Sequence, residues 1–154
     1  MVDLPDLSAS EEDIKKAQSA LNVGFPDELT RIWRTTNGLE LPGGWRFFPV
    51  FDSKRPKQTC NDIVYENTTA RWPTLPSDLL CIAASDTGDL LVLRKGIGTL
   101  EPAVWRWDHE TGRTHRWSRG LTYIFDRARV RIARIRKDVE RAKRWTGKGD
   151  PPPK

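Results

Sequence analysis

The chain has 154 residues, 26 Lys and Arg against 21 Asp and Glu, and 37% apolar residues. This is the length of one ordinary domain, and seven Trp and five Phe supply too much core material for a disordered chain. The net charge of +5 is unevenly placed: residues 1–112 carry 12 basic and 17 acidic groups, net −5, and residues 113–154 carry 14 and 4, net +10.

The first charged residues are acidic (Asp3, Asp6, Glu11, Glu12, Asp13), where a secretory leader would be basic and then apolar. No stretch approaches the roughly 20 apolar residues of a membrane helix. Cys60 and Cys81 lie in unlike contexts, and Cys81 sits in an apolar run. The expectation is free thiols and a cytoplasmic protein.

Residues 8–23 read as a helix, with Ser8–Glu11 or Ser10–Asp13 as a capping box. Ile14, Ala17 and Leu21 line one face, and Gly24 is expected as the left-handed stop. Residues 26–36 read as a second helix. Pro26 is placed at its first position, Leu29, Ile32 and Trp33 are buried, and Asn37-Gly38 ends it. Trp45 to Phe51 reads as a strand that Pro49 confines to an edge or ends early. Residues 59–67 suit a short helix capped by Thr59 or Asn61. The clearest β signal is the pair Leu79–Ala84 and Leu90–Leu93, joined by Ser85-Asp86-Thr87-Gly88-Asp89. Ala103 to Asp108 is a further strand with Trp105 and Trp107 on one side, and Arg113 to Trp117 returns as another. Leu121 to about Trp145 lacks Pro and Gly, and Leu121, Ile124, Phe125, Ala128, Ile132 and Ile135 trace an apolar stripe along it. Residues 146–154, with Pro151 to Pro153, read as a disordered tail. The expectation is one α+β domain over residues 1–145. A mixed or antiparallel sheet of about four to six strands packs on the N-terminal helices, and a long basic helix covers about 120–145.

Catalytic chemistry finds little support. Asp108, His109 and Glu110, with His115, are the best polar cluster, but strand alternation would keep the first three from converging. No Gly-x-Ser-x-Gly elbow exists. Cys60, Cys81, His109 and His115 lack paired-ligand spacing. The 85–89 turn lacks the closing Glu of a calcium loop, and Gly96 and Gly98 form no phosphate loop. No enzyme activity, metal or cofactor is expected.

Trp45, Trp72 and Trp117 sit near loops and are candidates for a partner-binding surface, where aromatic residues are enriched. Arg127, Arg131, Arg134, Arg141 and Arg144, with their basic neighbours, leave three readings open: packing on the acidic body, docking an acidic protein, or contacting nucleic-acid phosphates.

Four segments carry a family resemblance. They are Leu21-Asn22-Val23-Gly24-Phe25-Pro26-Asp27-Glu28, Thr35-Thr36-Asn37-Gly38, Ile82 to Leu91 through Gly88-Asp89, and Val104-Trp105-Arg106-Trp107-Asp108-His109-Glu110. In this order the chain resembles the SUKH superfamily over about residues 10–126. That superfamily includes fungal cell-wall-synthesis regulators of the Smi–Knr type and many bacterial toxin-immunity proteins. The resemblance implies a protein that neutralises a cognate toxin by stoichiometric blockade; a monomer or weak dimer is expected. An acidic surface (Asp52, Asp62, Asp86, Asp89, Asp108, Glu110) would suit the basic groove of a nuclease toxin, with Trp45 and Trp72 as anchors. The alternative expectation is a nucleic-acid-associated or regulatory adaptor using the Arg-rich end.

Overall fold

The computed structural model describes residues 8–41, 44–118, 120, 121, 123 and 137–142. Two helices open the fold, α1 (Glu11–Leu21) and α2 (Asp27–Thr35). Ser10 caps α1 by accepting the Asp13 N–H at 3.1 Å, beside Glu11, Glu12 and Asp13 at the positive end of the helix dipole. The left-handed stop is Asn22 (φ 53°), not Gly24 as expected. Asn tolerates this conformation. Gly24 serves a different need, because a side chain there would stand 3.1 Å from the Gly98 carbonyl. Its carbonyl accepts from Thr99 Oγ1 and the Leu100 N–H, which docks the 96–100 loop onto the helix joint. Pro26 lies one residue earlier than expected, as the cap residue of α2, with its carbonyl accepting from Leu29 and Thr30. Glu11 and Arg34 pair across the two helices.

The sheet has six antiparallel strands in sequence order: β1 (Glu40–Leu41), β2 (Trp45–Phe47), β3 (Leu79–Ala84), β4 (Leu90–Arg94), β5 (Val104–Trp107) and β6 (Thr114–Ser118). The expected sheet is thus antiparallel and at the upper end of the expected strand number. β1 was not anticipated, because two residues carry no alternation to read. The strand expected over 45–51 stops at Phe47, since Pro49 has no N–H to continue the ladder. The short helix α3 (Ile63–Asn67) is capped by Asp62, not by Thr59 or Asn61. Thr59 is buried and closes the preceding loop through Asp52 and Arg55.

β3 and β4 are buried on both faces. Cys81 stands opposite Val92, so the two share a face, and Cys81 Sγ lies 3.2 Å from Asn67 Oδ1 on α3. That face is therefore covered by α3. Beyond the reach of β2, the open edge of β3 is closed by side chains. Asn67 accepts from the Cys81 N–H at 2.9 Å and donates to its carbonyl at 2.8 Å, and Arg71 donates to the Leu79 carbonyl at 2.9 Å. Asn37 does the same for Val50, donating to its carbonyl and accepting from its N–H, both at 2.9 Å. An unpaired buried backbone group costs about 1–3 kcal/mol, so each asparagine replaces a missing strand.

The long helix expected over 120–145 lies largely outside the described residues, as does the 146–154 tail. Leu121 and Tyr123 are helical, as are residues 137–142, and Leu121 is buried. No described helix is long and apolar enough to cross a membrane.

Cys81 is enclosed, and desolvation pushes its thiol up to about 12. Cys60 is exposed. Since the thiolate is the reactive form, titration of the folded chain with a chromogenic disulfide should give one rapid thiol equivalent, from Cys60. Cys81 should react only in denaturant; two rapid equivalents would contradict this packing.

Candidate functional site

Two turns meet at one end of the sheet. The β3–β4 turn closes through Ser85 N–H to the Asp89 carbonyl at 2.9 Å, with Gly88 at φ 96°. The β5–β6 turn closes through Asp108 N–H to the Arg113 carbonyl at 2.9 Å, and Asp108 Oδ1 accepts from the Glu110 and Thr111 N–H groups at 2.8 and 3.2 Å. β5 ends at Trp107, so Asp108, His109 and Glu110 lie in this turn, and the strand alternation expected to separate them does not apply.

Asp89 joins the turns. It is only 7% exposed. One carboxylate oxygen accepts from Arg106 Nε and Nη2 at 3.0 and 2.6 Å. The other meets His109 Nδ1 at 2.7 Å and accepts the His109 backbone N–H at 3.3 Å. Burial opposes ionisation here, but the hydrogen bonds from His109 and Arg106 outweigh it and hold the Asp89 carboxyl below the usual range. Glycine suits position 88 because its φ is 96°, and a side chain there would also lie 3.3 Å from the imidazole.

Aromatic rings extend this contact on both sides. The exposed Trp72 (39%) packs edge-on against Trp107 at 5.8 Å between centroids, and its ring lies 5.3 Å from that of His109. On the other side the Arg106 guanidinium lies 5.2 Å from the Trp45 ring, and Trp45 packs on Trp117 at 6.1 Å. The result is one continuous series: Trp117, Trp45, Arg106, Asp89, His109, Trp72, Trp107.

The expected partner residues separate within this frame. Trp72, Asp86 and Glu110 are exposed, and Asp108 is half-buried at the turn. Trp45 is 6% exposed and Asp89 is enclosed, so these two position their neighbours. Asp86 borders a recess of about 250 Å³ with Trp45, Arg46 and Ser85. Arg106 was not singled out in the sequence, although its place between Trp105 and Trp107 turns it to the opposite face. Among the basic candidates, Arg127, Arg131, Arg134 and Arg144 lie outside the described residues, and Arg141 is exposed on helical residues 137–142.

Asp89, Asp108 and His109 each offer a potential metal ligand atom within 4.8 Å of one another. Their hydrogen bonds already account for the arrangement: both Asp89 oxygens are filled, and one Asp108 oxygen caps its turn. Glu110 stands 4.0 Å from His109 Nε2, beyond hydrogen-bond range.

The SMI1 / KNR4 family (SUKH-1) matches residues 8–126, a span that contains all four motif segments and stops before most of the basic run. No curated protein matches the chain, and no solved structure does.

The carboxyl of Asp89 is held below its unfolded value of about 3.9. Its contribution to stability is therefore complete above that value and lost as pH falls through the lower folded one. Asp89→Asn should destabilise the chain by roughly 2–3 kcal/mol near neutrality. Denaturant melts across pH should show this gap narrowing below about pH 4; a gap that widens on acidification would contradict the assignment.

Proposed function

Because the chain belongs to the SMI1 / KNR4 family (SUKH-1), we propose that it is a cytoplasmic immunity protein that binds a cognate bacterial toxin and blocks it stoichiometrically. The contact surface is the turn end of the sheet. Trp72 is the anchor, and Asp86, Asp108 and Glu110 form the acidic rim. Asp89 and Trp45 stand behind them. The observation that carries this reading is Trp72, a large apolar side chain left partly in solvent yet held edge-on by Trp107 and at a tilt by His109. A ring immobilised before binding loses little entropy in the complex, and aromatic anchors surrounded by polar residues dominate protein interfaces. The acidic rim complements a toxin with a basic substrate groove, as in a nuclease, and speeds its capture.

A second reading, an adaptor that contacts nucleic acid, draws on the net +10 of residues 113–154. The two readings differ in the residues they require. In the immunity reading, Trp72→Ala costs about 2 kcal/mol of binding, roughly 30-fold in Kd, and Glu110→Lys weakens association further at low salt. Both variants should lose protection of cells expressing the cognate toxin. Glu110→Lys reverses an exposed charge and should leave the melting temperature unchanged. Full protection and unchanged toxin affinity in both variants would remove this surface from the proposal, and salt-sensitive DNA binding that survives both would favour the adaptor.

A further inference from the structure

The sheet face that bears Trp107 continues across β4, β5 and β6. Val92 stands opposite Trp105, and Trp105 opposite Arg116, so the three share a side. Arg94, two residues beyond Val92, falls on that side too. The Arg94 guanidinium lies 4.1 Å from the Trp105 ring centroid and that of Arg116 lies 5.6 Å from it. Three adjacent strands thus form a ladder of arginine, tryptophan and arginine.

Stacking of this kind fixes a guanidinium plane while leaving its N–H edge open to a ligand. Among the described residues, neither Arg94 nor Arg116 takes part in a salt bridge. The indole N–H groups of Trp105 and Trp107 are covered and have no acceptor among the described residues. Buried donors without acceptors are uncommon in folded proteins. This face therefore carries donors in excess, in contrast to the Asp89 contact, where Arg106 and His109 fill both carboxylate oxygens.

We propose that the ladder is a carboxylate-recognition platform that seats an acidic segment of a protein partner. A carboxylate accepts two parallel N–H bonds from a guanidinium, and each of the two arginines beside Trp105 offers one such fork. The ladder favours a peptide over a nucleic acid for two reasons. The Trp105 ring is already stacked with guanidinium groups, so it is not a free platform for a base. β5 leads from Trp105 through Trp107 into the β5–β6 turn, which carries Asp108 and Glu110. A polyphosphate strand that followed β5 would bring a phosphate to this acidic turn, whereas a peptide can place neutral residues there. The proposal does not require the partner to be a toxin and uses residues distinct from Trp72, Asp86 and Glu110.

The test is a titration of the ¹⁵N-labelled full chain with hexaglutamate, read at the Trp105 indole N–H resonance. The signal is local, so binding at basic residues elsewhere does not register in it. The expected result is a saturable shift of that resonance, weakened several-fold by added salt. It should be lost in the Arg94→Gln, Arg116→Gln double variant and reduced in the Arg94→Lys, Arg116→Lys variant, which keeps charge but not the fork. The indole resonances of Trp33 and Trp107 report whether each variant remains folded. A Trp105 signal that does not move, or that moves equally in the folded glutamine variant, overturns the proposal. So does a stronger response to oligothymidylate than to hexaglutamate, which would assign the ladder to nucleic acid.

Discussion

A carboxylate withdrawn from water is tolerated only when its lone pairs are filled. Asp89 meets this condition with both oxygens. Its partners come from β5 and from the turn beyond it, so one side chain fixes the distance between the β3–β4 and β5–β6 turns. Trp72 rests on His109, and Trp45 lies beneath Arg106. Without Asp89, Arg106 would keep a charge with no partner and His109 no anchor, and the two rings would lose their supports together. Two of the four family motifs, Gly88-Asp89 and Trp107-Asp108-His109-Glu110, are thus the halves of one hydrogen-bonded unit. Their pairing gives a physical reason for finding both in the same chain.

The same logic governs the backbone. β3 is central yet unpaired at one end of its outer edge, where β2 has already stopped at Phe47. Asn67 and Arg71 occupy that edge from α3 and the turn after it, and Asn37 occupies the equivalent groups of Val50. The sheet therefore needs neither longer strands nor an added one. The arrangement also explains why Cys81 is so thoroughly enclosed: the asparagine that closes the edge lies directly over it.

Much of this fold was legible in the sequence because periodic burial leaves a pattern. The hairpin of β3 and β4, the two N-terminal helices and the shared side of Trp105 and Trp107 all follow from spacing. What could not be read was set by single contacts across the chain. Asn22 rather than Gly24 ends α1, and Gly24 instead admits the approach of Gly98, 74 residues away in sequence. β1 depends on pairing alone, with Glu40 opposite Arg46. In the candidate site, Trp72 and the acidic residues could be named from composition and position, but their roles could not be sorted. Asp86 and Glu110 face solvent, whereas Asp89 faces Arg106, and the sequence presents all three as acidic residues beside turns. Arg106 and His109 became meaningful only once Asp89 stood between them.

The central claim is that the turn end of the sheet, built on Asp89 and crowned by Trp72, is the surface that meets the partner. Hydrogen–deuterium exchange of the full chain, alone and with the proposed toxin partner, tests this most directly. Slowed exchange should concentrate at residues 70–76, 85–89 and 108–112, with α1 unchanged. Protection confined to α1, α2 or residues 137–142, with these turns unaltered, would contradict the account.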